Sequence, residues 1–229
     1  MLKLYIGNKN YSSWSMRPWV LMTQTGIPFE EVMVLFGTDF SSPDSAFKKT
    51  VQPINPAGTV PFLVDGDIVV PDTLAIAEYL AESFPEKALW PTDKARRAQA
   101  RSACAEMHAG FRAIRSHCGM NVEADLASQG RLLMRDRGDV RADLARLVQL
   151  WSDLLAQHGG PMLLGDFSIA DAYFAPMASR LKTYALPVPP AIAAYAARLH
   201  ALPSVRAWTD AALAEHQFVV EDEPYRLQD

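Results

Sequence analysis

Between Asn55 and Leu80 the chain reads NPAGTVPFLVDGDIVVPDTLAIAEYL, and few arrangements satisfy every residue in it. The turn-rich Asn55-Pro56-Ala57-Gly58 leads to Thr59-Val60-Pro61, directly ahead of the apolar run Phe62-Leu63-Val64. Proline has no N–H, so Pro61 must take the first strand position or a special turn. Asp65-Gly66 is a tight-turn signal, and Ile68-Val69-Val70 supplies the second strand of a hairpin. Asp72-Thr73 then opens an amphipathic helix with Leu74, Ile76, Ala77, Leu80 and Ala81 on one broad apolar face. An X-Pro bond has ready access to the cis form. In that form the main chain of Val60 turns outward and can pair with an extended, peptide-like ligand.

The residues before this unit add a strand over Leu2–Ile6 and a polar loop up to Trp14. Ser15 is a candidate cap for a helix from about Met16 to Thr25, with Pro18 in its first turn and Gly26 ending it. Phe29–Val34 read as the next strand, and Pro43-Asp44-Ser45 starts a short helix that ends before Pro53. Strand–helix–strand passages imply parallel pairing, and the Asp65-Gly66 turn implies an antiparallel pair. The expectation is an α/β unit over residues 1–83, a mixed four-stranded sheet with helices packed on it. Residues 84–93 carry two prolines and read as a linker, and 94–229 read as all-helical. There the 3.6-residue periodicity gives helices from Asp93 to about Cys118, Asp139 to His158, Ser168 to Tyr184, Pro190 to Ala201 and Ser204 to Glu215. The tail 216–229 is polar and is expected to lie irregularly on the surface.

Composition narrows the function classes. With 22 basic and 26 acidic residues the net charge is −4, which argues against nonspecific nucleic-acid binding and leaves room for a local basic site. No apolar run approaches the roughly 18–20 residues that span a bilayer, no secretory signal is visible, and the cytoplasm is the default compartment. Cys104 and Cys118 are the only cysteines; they form no Cys-x-x-Cys pair and complete no zinc site. No histidine cluster suggests a metal and no Gly-rich loop suggests phosphate binding.

The chemical candidates gather at two helix starts. Ser12, Ser13 and Ser15 crowd a strand-to-helix junction, where free N–H groups and the helix dipole favour an anion. A thiolate brought there is favoured over a thiol, and a serine hydroxyl bonding the sulfur lowers its pKa further. Tyr11 is a rival hydroxyl, whereas Tyr5 lies within the strand. Asp72 is a helix cap by residue type. It can also pair an ammonium while Thr73 and the helix N-terminus hold the carboxylate of the same amino acid. His108, Phe111, Arg112 and Arg115 share one face of the Asp93–Cys118 helix and can border a second pocket.

These segments together resemble the cytosolic glutathione transferases, whose first half has a thioredoxin-like fold. SSWSMR is similar to the helix-1 start of the serine-type members, notably the zeta class, and GDFSIAD to the family's capping motif in a later helix. The resemblance implies glutathione as co-substrate, with its cysteinyl part on Val60 beside a cis Pro61 and its γ-glutamyl end at Asp72-Thr73. Ser12 takes the place of the activating serine, with Ser13 and Ser15 as alternatives. Lys49 or its neighbour Lys48, together with Thr59, would approach the glycyl carboxylate. Trp14 stands where the zeta class has a cysteine, which sets the chain apart from isomerisation that relies on that cysteine. The implied reaction is attack of the thiolate on a small hydrophobic electrophile bound among the helices, and the implied assembly is a homodimer. Glutathione-dependent isomerisation or peroxide reduction, and a noncatalytic scaffold on the same fold, are the rival readings. Ser168 and Asp171 form a Ser-x-x-Asp capping box whose role is folding.

Overall fold

Leu2, Leu4 and Ile6 alternate along β1 (Leu2–Ile6) and bury one of its faces, as a strand with a single core face requires. The structure, a computed structural model, describes residues 1–226. After β1 come α1 (Ser13–Thr25), β2 (Phe29–Met33), α2 (Ala46–Val51), β3 (Phe62–Asp65), β4 (Ile68–Pro71) and α3 (Thr73–Ser83). The sheet order is β2-β1-β3-β4, with β1 and β2 parallel and the other pairs antiparallel. This is the mixed four-stranded sheet expected from the sequence, with the Asp65–Ile68 pair closing the hairpin. A thioredoxin-like unit is thus followed by a helical one: α4 (Lys94–Ala109), α5 (Arg112–His117), α6 (Ala127–Asp136), α7 (Gly138–His158), α8 (Ile169–Thr183), α9 (Pro190–Ala201) and α10 (Pro203–Glu215). α8 is buried along nearly its whole length and packs against α1, so one core runs through both units. Cys104 and Cys118 are free and buried in it. No helix among the described residues is long and apolar enough to cross a membrane.

Four features depart from the sequence expectations. The cap of α1 is Ser12, whose Oγ accepts the Ser15 N–H at 3.4 Å; Ser15 lies inside the helix, and Pro18 falls in its second turn instead of its first. The long helix expected from Asp93 to Cys118 is broken. Phe111 takes a left-handed φ of 52°, and a Cβ on Gly110 would press on the Glu106 carbonyl oxygen. Asp143 of α7 then caps the new start, accepting the N–H groups of Ala113 and Ile114 at 2.8 and 3.1 Å. His108, Phe111, Arg112 and Arg115 therefore do not share the face of one helix and Phe111 is buried, although His108, Arg112 and Arg115 still come to one cavity.

α6, absent from the periodicity reading, is the third departure. It crosses the end of α8 at Gly130, where any side chain would overlap the Tyr184 carbonyl oxygen. Gly130→Ala should therefore destabilise the protein by about 1–3 kcal/mol, the usual cost of overpacking. Differential scanning calorimetry reads this as a lowered Tm; an unchanged Tm would show that α6 packs elsewhere. Fourth, the tail is not loose as far as residue 226. It folds back as a strap with a 3₁₀ turn at Val220–Asp222, and buried Val219 packs with Tyr11, Phe36 and Phe47. The end of the tail expectation, 227–229, lies outside the described residues.

Candidate active site

The N-terminus of α1, the segment before β3, the α4–α5 break and the strap surround one cavity of about 930 Å³. Ser12 and Ser13 line it from the helix start, and Thr59 and Val60 from the sheet side. The Val60–Pro61 bond is cis. Among the described residues the Val60 main chain takes no part in the ladder, which starts at Phe62. A strand-like edge with free N–H and C=O groups therefore faces the cavity a short way from two serine hydroxyls.

The serines differ in their surroundings. The Ser12 and Ser15 hydroxyls lie 2.7 Å apart. Ser15 is fully buried, accepts the Gly7 N–H at 3.1 Å, and does not line the cavity; as a candidate for direct contact with a ligand it is withdrawn. Its position explains this: two residues into α1, it faces β1 instead of the open end. Ser13 accepts a bond from the Arg180 guanidinium at 3.1 Å. Tyr11 is committed elsewhere: its OH donates to Glu223 of the strap at 2.7 Å, and burial followed by that carboxylate pushes its pKa up to about 12. Tyr5 stacks on Phe62.

Lys49 is exposed and turned away from the cavity, while Lys48 lines it and donates to the Gly58 carbonyl at 2.7 Å. Successive residues on a helix point about 100° apart, so only one of the two lysines can face inward.

Asp72 and Thr73 stand at the start of α3, beside the cavity and not in its lining. Asp72 holds a left-handed φ of 76° and accepts the Leu74 N–H at 2.8 Å. Its other oxygen is 3.5 Å from His108 Nε2. Thr73 is buried and receives the Tyr173 OH at 2.9 Å, with Arg17 3.5 Å away. Arg17 is itself almost fully buried, and its Nε has no partner among the described residues. Burial pulls its pKa down to about 10. A buried guanidinium that meets no carboxylate among the described residues thus stands behind Thr73 and adds positive charge to this helix start.

Sequence reasoning left Arg17 open between a structural and a functional role, and missed Arg180 and Asp222 altogether. Arg180 is carried by α8 and is 5% exposed. Its Nε donates to the Cys118 carbonyl and one terminal nitrogen to that of Pro176, which aims the other at Ser13. Asp222 comes from the strap. Neither residue has a local pattern; only the packing of distant segments brings them to the serines.

Residues 11–83 match the family described as "Glutathione S-transferase, N-terminal domain", and residues 95–211 match "Glutathione S-transferase, C-terminal domain". Glutathione S-transferase 1 of Dianthus caryophyllus is 32% identical over 178 residues, 76% of this chain and 75% of that protein. Glutathione S-transferase Z2 of Arabidopsis thaliana is 44% identical over 95 residues, 39% of this chain and 40% of that protein. Among solved structures, a glutathione transferase homolog from Burkholderia with bound glutathione superposes with a TM-score of 0.69 at 25% identity, covering 92% of this chain and 97% of that one.

Proposed function

The chain belongs to the glutathione S-transferase family, and from that premise we propose that it is a glutathione transferase whose cavity seats the tripeptide with its sulfur at Ser12. One observation carries this reading: the free Val60 main chain and the serine-bearing start of α1 open on the same cavity. In the proposed pose the cysteinyl backbone pairs with Val60. The γ-glutamyl carboxylate meets the α3 N-terminus and Thr73, backed by Arg17, and Asp72 takes the ammonium. Thr59 and Lys48 approach the glycyl end.

The Ser12 hydroxyl donates to the sulfur and stabilises the thiolate, and the dipole of α1 adds to this. Ser15 acts behind Ser12. Ser15 Oγ accepts both the Gly7 N–H and the Ser12 hydroxyl; when sulfur arrives, the Ser12 proton turns to it and Ser15 donates to Ser12 in exchange. The thiolate then attacks an electrophilic carbon. The sulfur–carbon bond forms, the leaving group departs with its electron pair, and the thiol proton passes to solvent.

The same reading includes a glutathione-binding unit over 1–83, the linker 84–93, a helical unit over 94–229, and a two-fold homodimer. Sedimentation velocity tests the dimer. Retention on immobilised glutathione, followed by thiol consumption with 1-chloro-2,4-dinitrobenzene, tests the activity. Retention with turnover is the expected result; retention without turnover would leave a binding scaffold.

A further inference from the structure

Some exposed arginines of this protein are paired with carboxylates. Arg101 with Glu78, Arg137 with Asp139 and Arg146 with Glu106 each make two-pronged carboxylate contacts. Others are not: Arg131 donates to the Ser128 hydroxyl and Arg141 to two carbonyls. The cavity differs in gathering three such arginines on one lining. Arg112 donates to the Ala109 carbonyl, and Arg115 to the carbonyls of His108 and Gly110. Arg180 donates to two carbonyls and to Ser13. Among the described residues none of the three meets a carboxylate. Burial pulls the pKa of Arg180 down to about 10, and repulsion by Arg17 and Arg115 adds to it. Burial and Arg112 act on Arg115 in the same sense.

Cations that repel one another in a half-enclosed site are unfavourable until an anion joins them. Glutathione does not account for them in the proposed pose, because Arg17 and Lys48 already attend its two carboxylates. Trp14, beneath the Arg115 guanidinium at 4.8 Å, and Met120 supply apolar wall beside the charges.

Asp222 is the one carboxylate among the described residues lining the cavity. The strap fixes it there, because the next residue, Glu223, is buried and bonded by Tyr11 and Asn121. The Asp222 carboxylate has no hydrogen-bond partner among the described residues. Burial, then Glu221 and Glu223, raises its pKa to about 6, with Arg180 opposing, so it is ionised at pH 7.5.

We propose that the second substrate is an electrophile carrying an anionic group, received by Arg112, Arg115 and Arg180, and that Asp222 is the opposing charge in the cavity that sets how strongly that anion is held. This rests on the transferase reading and narrows its second substrate from a hydrophobic electrophile to a planar or apolar body with an acidic group.

The test uses the full chain loaded with glutathione at pH 7.5. Unreactive 3,5-dinitrobenzoate and neutral 1,3-dinitrobenzene are titrated by isothermal calorimetry. The anion should bind roughly 10-fold more tightly, as charge-assisted contacts to unpaired guanidiniums imply. That preference should shrink with added salt. Arg112→Gln, on an exposed side chain, and Arg115→Gln should each reduce it several-fold, and Asp222→Asn should increase it. Equal binding of the two rings, or a preference untouched by both arginine variants, would overturn the anion site. A preference unchanged in Asp222→Asn would overturn the role of Asp222. Turnover of 4-chloro-3,5-dinitrobenzoate against 1-chloro-2,4-dinitrobenzene is then measured. Failure of both chlorides with binding preference intact sinks the transferase reading and leaves the anion site standing.

Discussion

Ser12→Ala is expected to raise the pKa of glutathione bound to this protein by about 1–2 units. A hydrogen bond to a charged partner is worth about 1.5–3 kcal/mol, and one pKa unit is about 1.36 kcal/mol. At a pH below the altered pKa, turnover with an activated aryl halide should fall about 10- to 100-fold, because only the thiolate attacks. Glutathione affinity should stay close to the parent value. The groups proposed to hold the tripeptide are the Val60 main chain and the start of α3, neither of which the substitution touches.

The readouts are the ultraviolet absorbance of the thiolate against pH, calorimetric titration with glutathione, and the pH–rate profile. A pKa that does not move would remove Ser12 from the chemistry. Ser13→Ala is the companion variant. Its hydroxyl is polarised by Arg180 at 3.1 Å, so if it proves to be the one that shifts the thiol, the two serines exchange roles. Ser15→Ala separates contact from support. A buried hydroxyl bonded to Gly7 and Ser12 should act only through Ser12, and the double variant Ser12→Ala/Ser15→Ala should be no worse than Ser12→Ala.

What the sequence disclosed and what it withheld divide along the range of the forces involved. The hairpin, the cap of α3 and the Ser168–Asp171 box are written within a few residues each: a turn pair, an Asx cap, a Ser-x-x-Asp spacing. Local rules suffice there. The cap of α1 was misplaced by three residues because Ser12, Ser13 and Ser15 are equal as local caps. Only the Gly7 N–H, arriving from β1, draws Ser15 into the interior.

The α4–α5 break was hidden for a related reason. Gly110 was the one local hint, and the decisive cap comes from Asp143, some thirty residues further on. Of the cavity's charges, His108, Arg112 and Arg115 were legible as a pocket border, and Arg180 and Asp222 were not. Arg180 sits among buried residues near the end of α8, and Asp222 in a tail that reads as polar surface. Their meaning depends on the strap closing over Tyr11, a contact between the two ends of the chain.

Asp171→Ala should be the most destabilising single change among those considered, and it should leave glutathione binding nearly intact. The carboxylate is fully buried at the start of α8. One oxygen accepts the Leu163 N–H at 3.1 Å and the Tyr195 OH at 2.9 Å; the other accepts the Ser168 N–H at 2.9 Å. Alanine leaves these donors without a partner in the interior. Each orphaned group costs about 1–3 kcal/mol, so a total of about 4 kcal/mol is a moderate expectation. For a chain of this size that corresponds to a fall in Tm of roughly 8–16 °C.

Asp171→Asn is the discriminating partner. It keeps the shape and one acceptor oxygen but cannot accept at both ends of the group, so it should fall between alanine and the parent. The box lies on the far side of α8 from Ser13 and Arg180, among α9 and the 162–166 turn. Calorimetry should therefore return an unchanged glutathione affinity at a temperature where both variants are folded. A Tm within a degree or two of the parent would show that α8 does not depend on its cap. A loss of affinity in the folded Asn variant would mean that the box reaches the cavity through α8, with Arg180 the first residue to examine.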